Sequence, residues 1–208
     1  MSAHAICRLP STTQTLLWHV LDGEPVEVLR HQATLSAAQT QSVLPPGVLV
    51  QKTVTVAFGD RNHTCVLWTG VGDFQISKEA VLLVAGQLGL SRRAARHATI
   101  NPSWLDPVAA FGMQAGMVSP FLPPQSCSEA QSTPIAALVV QQWPGAWEAD
   151  KAVAISLSLY ESLLIPLRSL RPLLRTYYAW GHPSLPCLFL PADACSEMDE
   201  TLPSKQVR

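Results

Sequence analysis

From Val48 to Phe58 the chain is an almost unbroken run of β-branched and apolar residues, Val48-Leu49-Val50-Gln51-Lys52-Thr53-Val54-Thr55-Val56-Ala57-Phe58. A run of this length and β-branched content reads as a buried strand. Gly59-Asp60-Arg61-Asn62 has the composition of a hairpin turn, and His63 to Thr69 reads as the return strand. The chain must therefore build a sheet around this hairpin.

The flanking segments supply helices and further strands. Ser11-Thr12-Thr13 can cap a helix whose Leu16, Leu17, Val20 and Leu21 recur at helical spacing, and Asp22-Gly23 ends it. Pro25 to Leu29 alternates as a short strand that ends at His31. Ser36-Ala37-Ala38-Gln39 opens a short helix stopped by Pro45-Pro46-Gly47. Gly70-Val71-Gly72-Asp73 reads as a turn, and Ser77 caps the clearest helix, closed by Gly89. A helix is expected over Ser103 to Phe111, kinked or restarted at Pro107, followed by a Gly- and Pro-rich loop over Gly112 to Pro124 and a polar, mobile stretch over Ser126 to Thr133.

Ile135–Gln141, Ala152–Leu157 and Leu163–Leu167 read as three more strands, and Leu170 to Trp180 as a last helix with Pro172 in its first turn. Strands and helices interleave without strict βαβ alternation. The expected fold is a single α/β domain over residues 1–181, with a mixed, partly closed central sheet and surrounding helices. Residues 182–208 are Pro-, Ser- and acid-rich and read as a disordered tail.

Bulk properties narrow the function. A chain of 208 residues with 48% apolar residues suits one domain with a sizeable core. Charged residues are 14%, against a usual ~25%. With 14 basic and 15 acidic residues the net charge is −1, which argues against a dedicated DNA or RNA binder but allows an enzyme that grips only a nucleic-acid end. Cys7, Cys65, Cys127, Cys187 and Cys195 are odd in number and form no C-x-x-C pair, so reduced thiols in a cytoplasmic protein are expected rather than a disulfide framework or a zinc site. No signal peptide is seen, and the longest apolar runs, such as Ala80–Ala85, fall far short of the ~20 residues that span a bilayer. There is no G-x-S-x-G, G-x-x-x-x-G-K-[ST] or H-E-x-x-H motif, and neither metal nor cofactor is expected.

Two constellations carry candidate chemistry. Lys52 heads the buried strand, beside Thr53, where an ammonium can stabilise a phosphate or developing negative charge. Gly116-Met117-Val118-Ser119-Pro120 is a loop that begins with a residue free to take positive φ and ends with one of fixed φ. Such a loop can present N–H groups to an ester carbonyl. Each also has a bland reading, a solvated strand-end lysine and an ordinary tight turn. His31 reads as a strand-end histidine with a local hydrogen bond, and Asp73 as a turn or cap residue. Arg92, Arg93, Arg96 and His97, and Arg168, Arg171 and Arg175, read as solvated faces of the fold that can touch RNA phosphates.

In their order, His31-Gln32-Ala33-Thr34, the short helix, Lys52-Thr53 and Gly116 to Pro120 resemble the YbaK/ProX family of tRNA-editing domains, over roughly residues 11 to 175. The resemblance implies a trans-acting aminoacyl-tRNA deacylase that hydrolyses the ester of mischarged tRNA without a metal or cofactor. It implies Lys52 as the catalytic residue and His31, Thr53, Gly116, Met117, Val118, Ser119 and Pro120 as substrate-binding residues. The implied partners are the 3′ end of aminoacyl-tRNA and an aminoacyl-tRNA synthetase, with no DNA and no membrane. The second half departs from the family pattern. Leu122 stands where a glycine is common, Gln141-Gln142 where a strand commonly ends in an acidic residue, and Ile155 to Leu159 lacks a glycine turn. The alternative is thus a relative that keeps the fold as a non-catalytic binding or regulatory module.

Overall fold

A computed structural model describes residues 11–23, 26–72, 74–111, 113, 118–123, 135–141 and 151–190. In chain order the elements are α1 (Ser11–Val20), β1 (Glu27–Arg30), α2 (Ala37–Val43), β2 (Leu49–Ala57), β3 (Cys65–Val71), α3 (Lys78–Gln87), α4 (Arg92–Arg96), β4 (Thr99–Ile100), α5 (Pro107–Phe111), β5 (Ile135–Gln141), β6 (Ala152–Ser156), β7 (Glu161–Pro166), α6 (Leu167–Gly181) and β8 (Cys187–Leu190). The architecture is the expected single mixed α/β domain. The sheet is not closed: it runs open in the order β1-β7-β6-β2-β3-β5-β8, with β4 paired to β2 outside that path.

The β2–β3 hairpin is the spine of this sheet. Its antiparallel register runs from Gln51 opposite Val71 to Ala57 opposite Cys65, so Gly70 and Val71 extend the strand rather than turning. β3 pairs on its other side with β5 in parallel, and β5 with β8 in parallel. Every residue of β3 is buried, as expected of a central strand covered on both faces. Side-chain alternation divides it: Cys65, Leu67 and Val71 join the core beneath α1 and α6, while Val66 and Trp68 join the core beneath α3 and α4.

Three serines start helices. Ser36, Ser77 and Ser91 each accept a backbone N–H three residues on, from Gln39, Ala80 and Ala94 at 3.2, 3.0 and 3.1 Å. At α2 the Gln39 side chain also reaches back to the Leu35 N–H at 2.6 Å, a reciprocal cap that fixes the entry to the helix. α5 starts at Pro107 with Asp106 accepting from the Val108 N–H at 3.0 Å, so Pro107 marks a start and not a kink.

Three expectations change. α4 is a separate short helix, held by Ala94 and Ala95 in the second core. α6 begins at Leu167, which places Pro172 inside the helix. Residues 182–190 are not tail: His182 is buried and β8 completes the sheet, because Leu188 and Leu190 have an apolar face to fill beside β5. Residues 191–208 lie outside the described residues.

Candidate active site

β2 carries different neighbours along its length. Leu49 and Val50 pair with Val153 and Ala154 of β6. Val56 and Ala57 pair with Ile100 and Thr99 of β4. Between these contacts β2 has β3 on one side, and no strand among the described residues pairs with it on the other. The opening is a cavity of about 470 Å³, lined by α2, by β2 from Val50 to Thr55, by Ser156, by the Asn101–Pro107 connection, and by Val118 and Ser119.

Lys52 lines this cavity, and so do Thr53, Val118 and Ser119. The fold therefore brings the lysine and the later part of the Gly116–Pro120 loop together across a long sequence separation. Pro120 is buried beside them; Gly116 and Met117 lie outside the described residues, as does Asp73. His31 is not part of the cavity wall. Its ring lies 2.8 Å from the Gln32 carbonyl and 3.0 Å from the buried hydroxyl of Ser162, which ties it to β7. Within His31-Gln32-Ala33-Thr34 it is Thr34 that reaches the cavity, buried and hydrogen-bonded to Thr40 at 3.0 Å.

Thr53 sits in a hydroxyl and amide network. Gln51 Nε2 donates to Thr53 Oγ1 at 2.5 Å and to Thr69 Oγ1 at 2.7 Å, and Thr69 Oγ1 donates to the Lys52 carbonyl at 3.0 Å. These bonds lock the rotamers around Lys52 and fix the backbone from which its side chain springs.

The loop's amides are partly spoken for. The Ser119 N–H is directed at Met113 Sδ at 3.3 Å, and the Phe121 N–H at Ser119 Oγ at 3.3 Å. Pro120 has no N–H. The Ser119 hydroxyl, which accepts from Phe121, keeps its own proton to donate. Within residues 118–121, the donors for which no acceptor is found among the described residues are the Val118 N–H and the Ser119 O–H, and these can meet a ligand.

Behind the loop stands α6. Tyr178 Oη donates to the Pro120 carbonyl at 2.6 Å, and Tyr177 Oη to the Leu122 carbonyl at 2.5 Å. His182 Nε2 lies 3.2 Å from the same Leu122 oxygen. Burial holds both phenols well above the usual tyrosine range, so both remain donors, and burial lowers the pKa of His182, with its bond to Leu122 opposing. Leu122 is thus clamped by its carbonyl and packed in the core by its side chain.

Gln141, where an acidic residue was the pattern, is buried and structural. Its Oε1 accepts from the Trp68 indole at 2.8 Å and its Nε2 donates to the Gln75 carbonyl at 2.9 Å. A carboxylate there would lose the second bond. Trp68 and Gln141 lie on the far core side and not in the cavity wall.

The two described thiols are poor nucleophiles: burial pushes Cys65 up to about 11 and Cys187 up to about 12. Among the described residues no three of His, Cys, Asp and Glu gather to hold a metal ion, and no helix is long and apolar enough to cross a membrane. Of the basic groups, Arg171 and Arg175 stack their guanidiniums 4.6 and 4.7 Å from the Phe189 ring centroid. Arg92, Arg93 and Arg96 are exposed on α4, and neither set lines the cavity.

Sequence reasoning missed Thr34, Gln51, Asn101 and Ser156 as cavity residues. Asn101 left a signal. It stands before Pro102 and has φ 49°, a left-handed backbone that Asn tolerates better than most residues. That geometry lets it bond both main-chain groups of Thr55, its Oδ1 accepting from Thr55 N at 3.1 Å and its N–H donating to Thr55 O at 2.7 Å.

No family model matches the chain, and no curated protein matches it. Among solved structures, a crystal structure of a protein described as hypothetical protein APE2540 is similar with a TM-score of 0.48 and 17% identity, covering 82% of this chain and 95% of that one.

Proposed function

We propose that the protein is a trans-acting aminoacyl-tRNA deacylase that hydrolyses the ester of mischarged tRNA in the β2 cavity. The observation that carries this reading is the shared wall of Lys52 with Val118 and Ser119. A cation and a hydroxyl-bearing loop can act on one ester only when they border one space.

In this reading the aminoacyl ester lies against Val118 and Ser119, and the Ser119 O–H and Val118 N–H polarise its carbonyl. Lys52 takes the negative charge, either the developing oxyanion or the phosphate of the terminal nucleotide. Among the described lining residues there is no carboxylate and no imidazole to serve as general base. Water, or a nucleophile of the substrate itself, therefore attacks an ester activated by the wall. Exposed Arg92, Arg93 and Arg96 offer phosphate contacts for the rest of the acceptor arm. An aminoacyl-tRNA synthetase as partner, and a cytoplasmic location, belong to the same reading.

The test is a deacylation screen of the purified protein against a panel of mischarged tRNAs. Hydrolysis of at least one, lost in Lys52→Ala, is the expected result. A wild-type protein inactive on the whole panel would transfer the cavity to the non-catalytic binding module.

A further inference from the structure

The β8 edge of the sheet carries cations without acids. From Leu167 to Leu190, the span of α6 and β8, the chain holds Arg168, Arg171 and Arg175 and no Asp or Glu. β5, which pairs with β8, and α1, which packs on α6, add no acid. Glu161 of the neighbouring β7 is engaged by Arg30 at 3.3 Å. The three arginines recur at helical spacing along one face of α6. Arg168 and Arg175 are exposed, and Arg171 is partly buried.

A surface arginine ordinarily turns its head group to water. Arg171 and Arg175 instead share one aromatic ring, their Cζ atoms 4.6 and 4.7 Å from the Phe189 centroid. Arg171 Nε is buried and, among the described residues, has no hydrogen-bond partner. Like charges one turn apart on a helix repel, and a shared ring face offsets only part of that cost. The acidic group beside them is the Cys187 thiol, which feels both guanidiniums, but burial pushes it up to about 12 and it stays neutral. A buried charged donor with no partner in the protein is explained by a bound ion or water. A carboxylate carries one charge, and one guanidinium fork satisfies it. A phosphomonoester carries close to two charges on three strongly accepting oxygens, enough for two forks at once.

We infer that Arg171 and Arg175, braced on Phe189, form a binding site for a phosphomonoester, with Arg168 extending its positive field. Phe189 holds both planar forks in place before the ligand arrives, so little side-chain freedom is lost on binding. None of these four residues lines the β2 cavity, and the inference stands whether or not the protein is a deacylase. The phosphate can belong to a free small molecule or to the phosphorylated end of an RNA chain; the recognising chemistry is the same.

The experiment is a titration of the ¹⁵N-labelled full chain at constant ionic strength, followed at the Nε–H resonances of Arg171 and Arg175. The probes are inorganic phosphate, acetate, and one short RNA with a 5′-phosphate or a 5′-hydroxyl. Phosphate and the 5′-phosphorylated RNA should shift both resonances, and acetate and the 5′-hydroxyl RNA should bind at least about tenfold more weakly, the scale of one charge-assisted hydrogen bond. Inorganic phosphate binding as tightly as the phosphorylated RNA assigns the site to a free phosphate; tighter binding of the phosphorylated RNA assigns it to an RNA end. Arg175→Lys keeps the charge and the fold but removes one fork, and should also weaken phosphate binding about tenfold. The inference is overturned if phosphate shifts neither arginine at millimolar concentration, if acetate or the 5′-hydroxyl RNA binds equally, or if Arg175→Lys binds as the wild type does. Asp193, Glu197, Asp199 and Glu200 lie outside the described residues, and a variant with Asp193→Asn, Glu197→Gln, Asp199→Asn and Glu200→Gln tests them. Unchanged phosphate affinity is expected; binding seen in that variant alone would give the arginines to the chain's own carboxylates and overturn the inference.

Discussion

The phenol of Tyr178 donates to the carbonyl of Pro120 across 2.6 Å, joining the last long helix to the loop that borders the cavity. With Tyr177 and His182 on Leu122, three donors of one helix end hold two carbonyls of that loop, those of Pro120 and Leu122. The site wall is thereby set by a segment remote from it in sequence.

Tyr178→Phe keeps the ring and deletes this bond, leaving the Pro120 carbonyl buried without a donor. The cost should be about 1–3 kcal/mol, read from the denaturant midpoint. Deacylation should fall as well, because Ser119 loses its anchor. A variant as stable and as active as the wild type would show that the loop is held by packing alone.

His182 gives a pH dependence. Burial lowers its folded pKa below 6.5, so the unfolded chain takes up the proton first as pH falls. Protonation then favours unfolding. Its contribution is fully present above pH 6.5 and declines as pH falls from there toward the folded value. His182→Gln retains an N–H for Leu122 and removes the titration, so its melting temperature should vary less than the wild type's between neutral and mildly acidic pH. Parallel pH profiles for the two proteins would contradict this.

Lys52→Ala tests the chemistry of the wall. The expected loss in deacylation rate is about 10²-fold, the scale of one electrostatic stabiliser, with stability changed by less than about 1 kcal/mol. If rate and stability fell together, the lysine would be a structural residue.

Gln141→Glu tests why the strand does not end in an acid. The carboxylate keeps the Trp68 indole bond but faces the Gln75 carbonyl without a proton to donate. Destabilisation of about 1–3 kcal/mol is expected at neutral pH, shrinking at low pH where a protonated carboxyl can donate. Unchanged stability, or a loss independent of pH, would mean that the network is open to water.

Most of the elements were legible because their causes are local. The β-branched run gave β2, Ser36 and Ser77 gave helix starts, and Pro45 and Gly89 gave stops. β8 was not legible, since Cys187–Leu190 is a short apolar stretch amid Pro and Ser that becomes a strand only because β5 offers it an open edge. β4 was missed for the same reason: Thr99–Ile100 gains its pairing from β2. Val71 was read as turn because the glycines at 70 and 72 outweigh it locally, whereas β2 holds it in register opposite Gln51.

For the candidate site, the sequence alone picked out Lys52, Thr53 and the loop that ends in Ser119-Pro120, because residue type and order are properties of the chain. It also suggested His31, which the fold ties to Ser162 outside the cavity wall, while placing Thr34 within it. Which edge of β2 lacks a strand was decided only in three dimensions. A strand's hydrogen-bond partners come from distant segments, β6 at one end and β4 at the other, and their reach along β2 depends on how each is anchored elsewhere. Side-chain pattern encodes the face a residue shows; it carries no record of which main-chain edge will be left open.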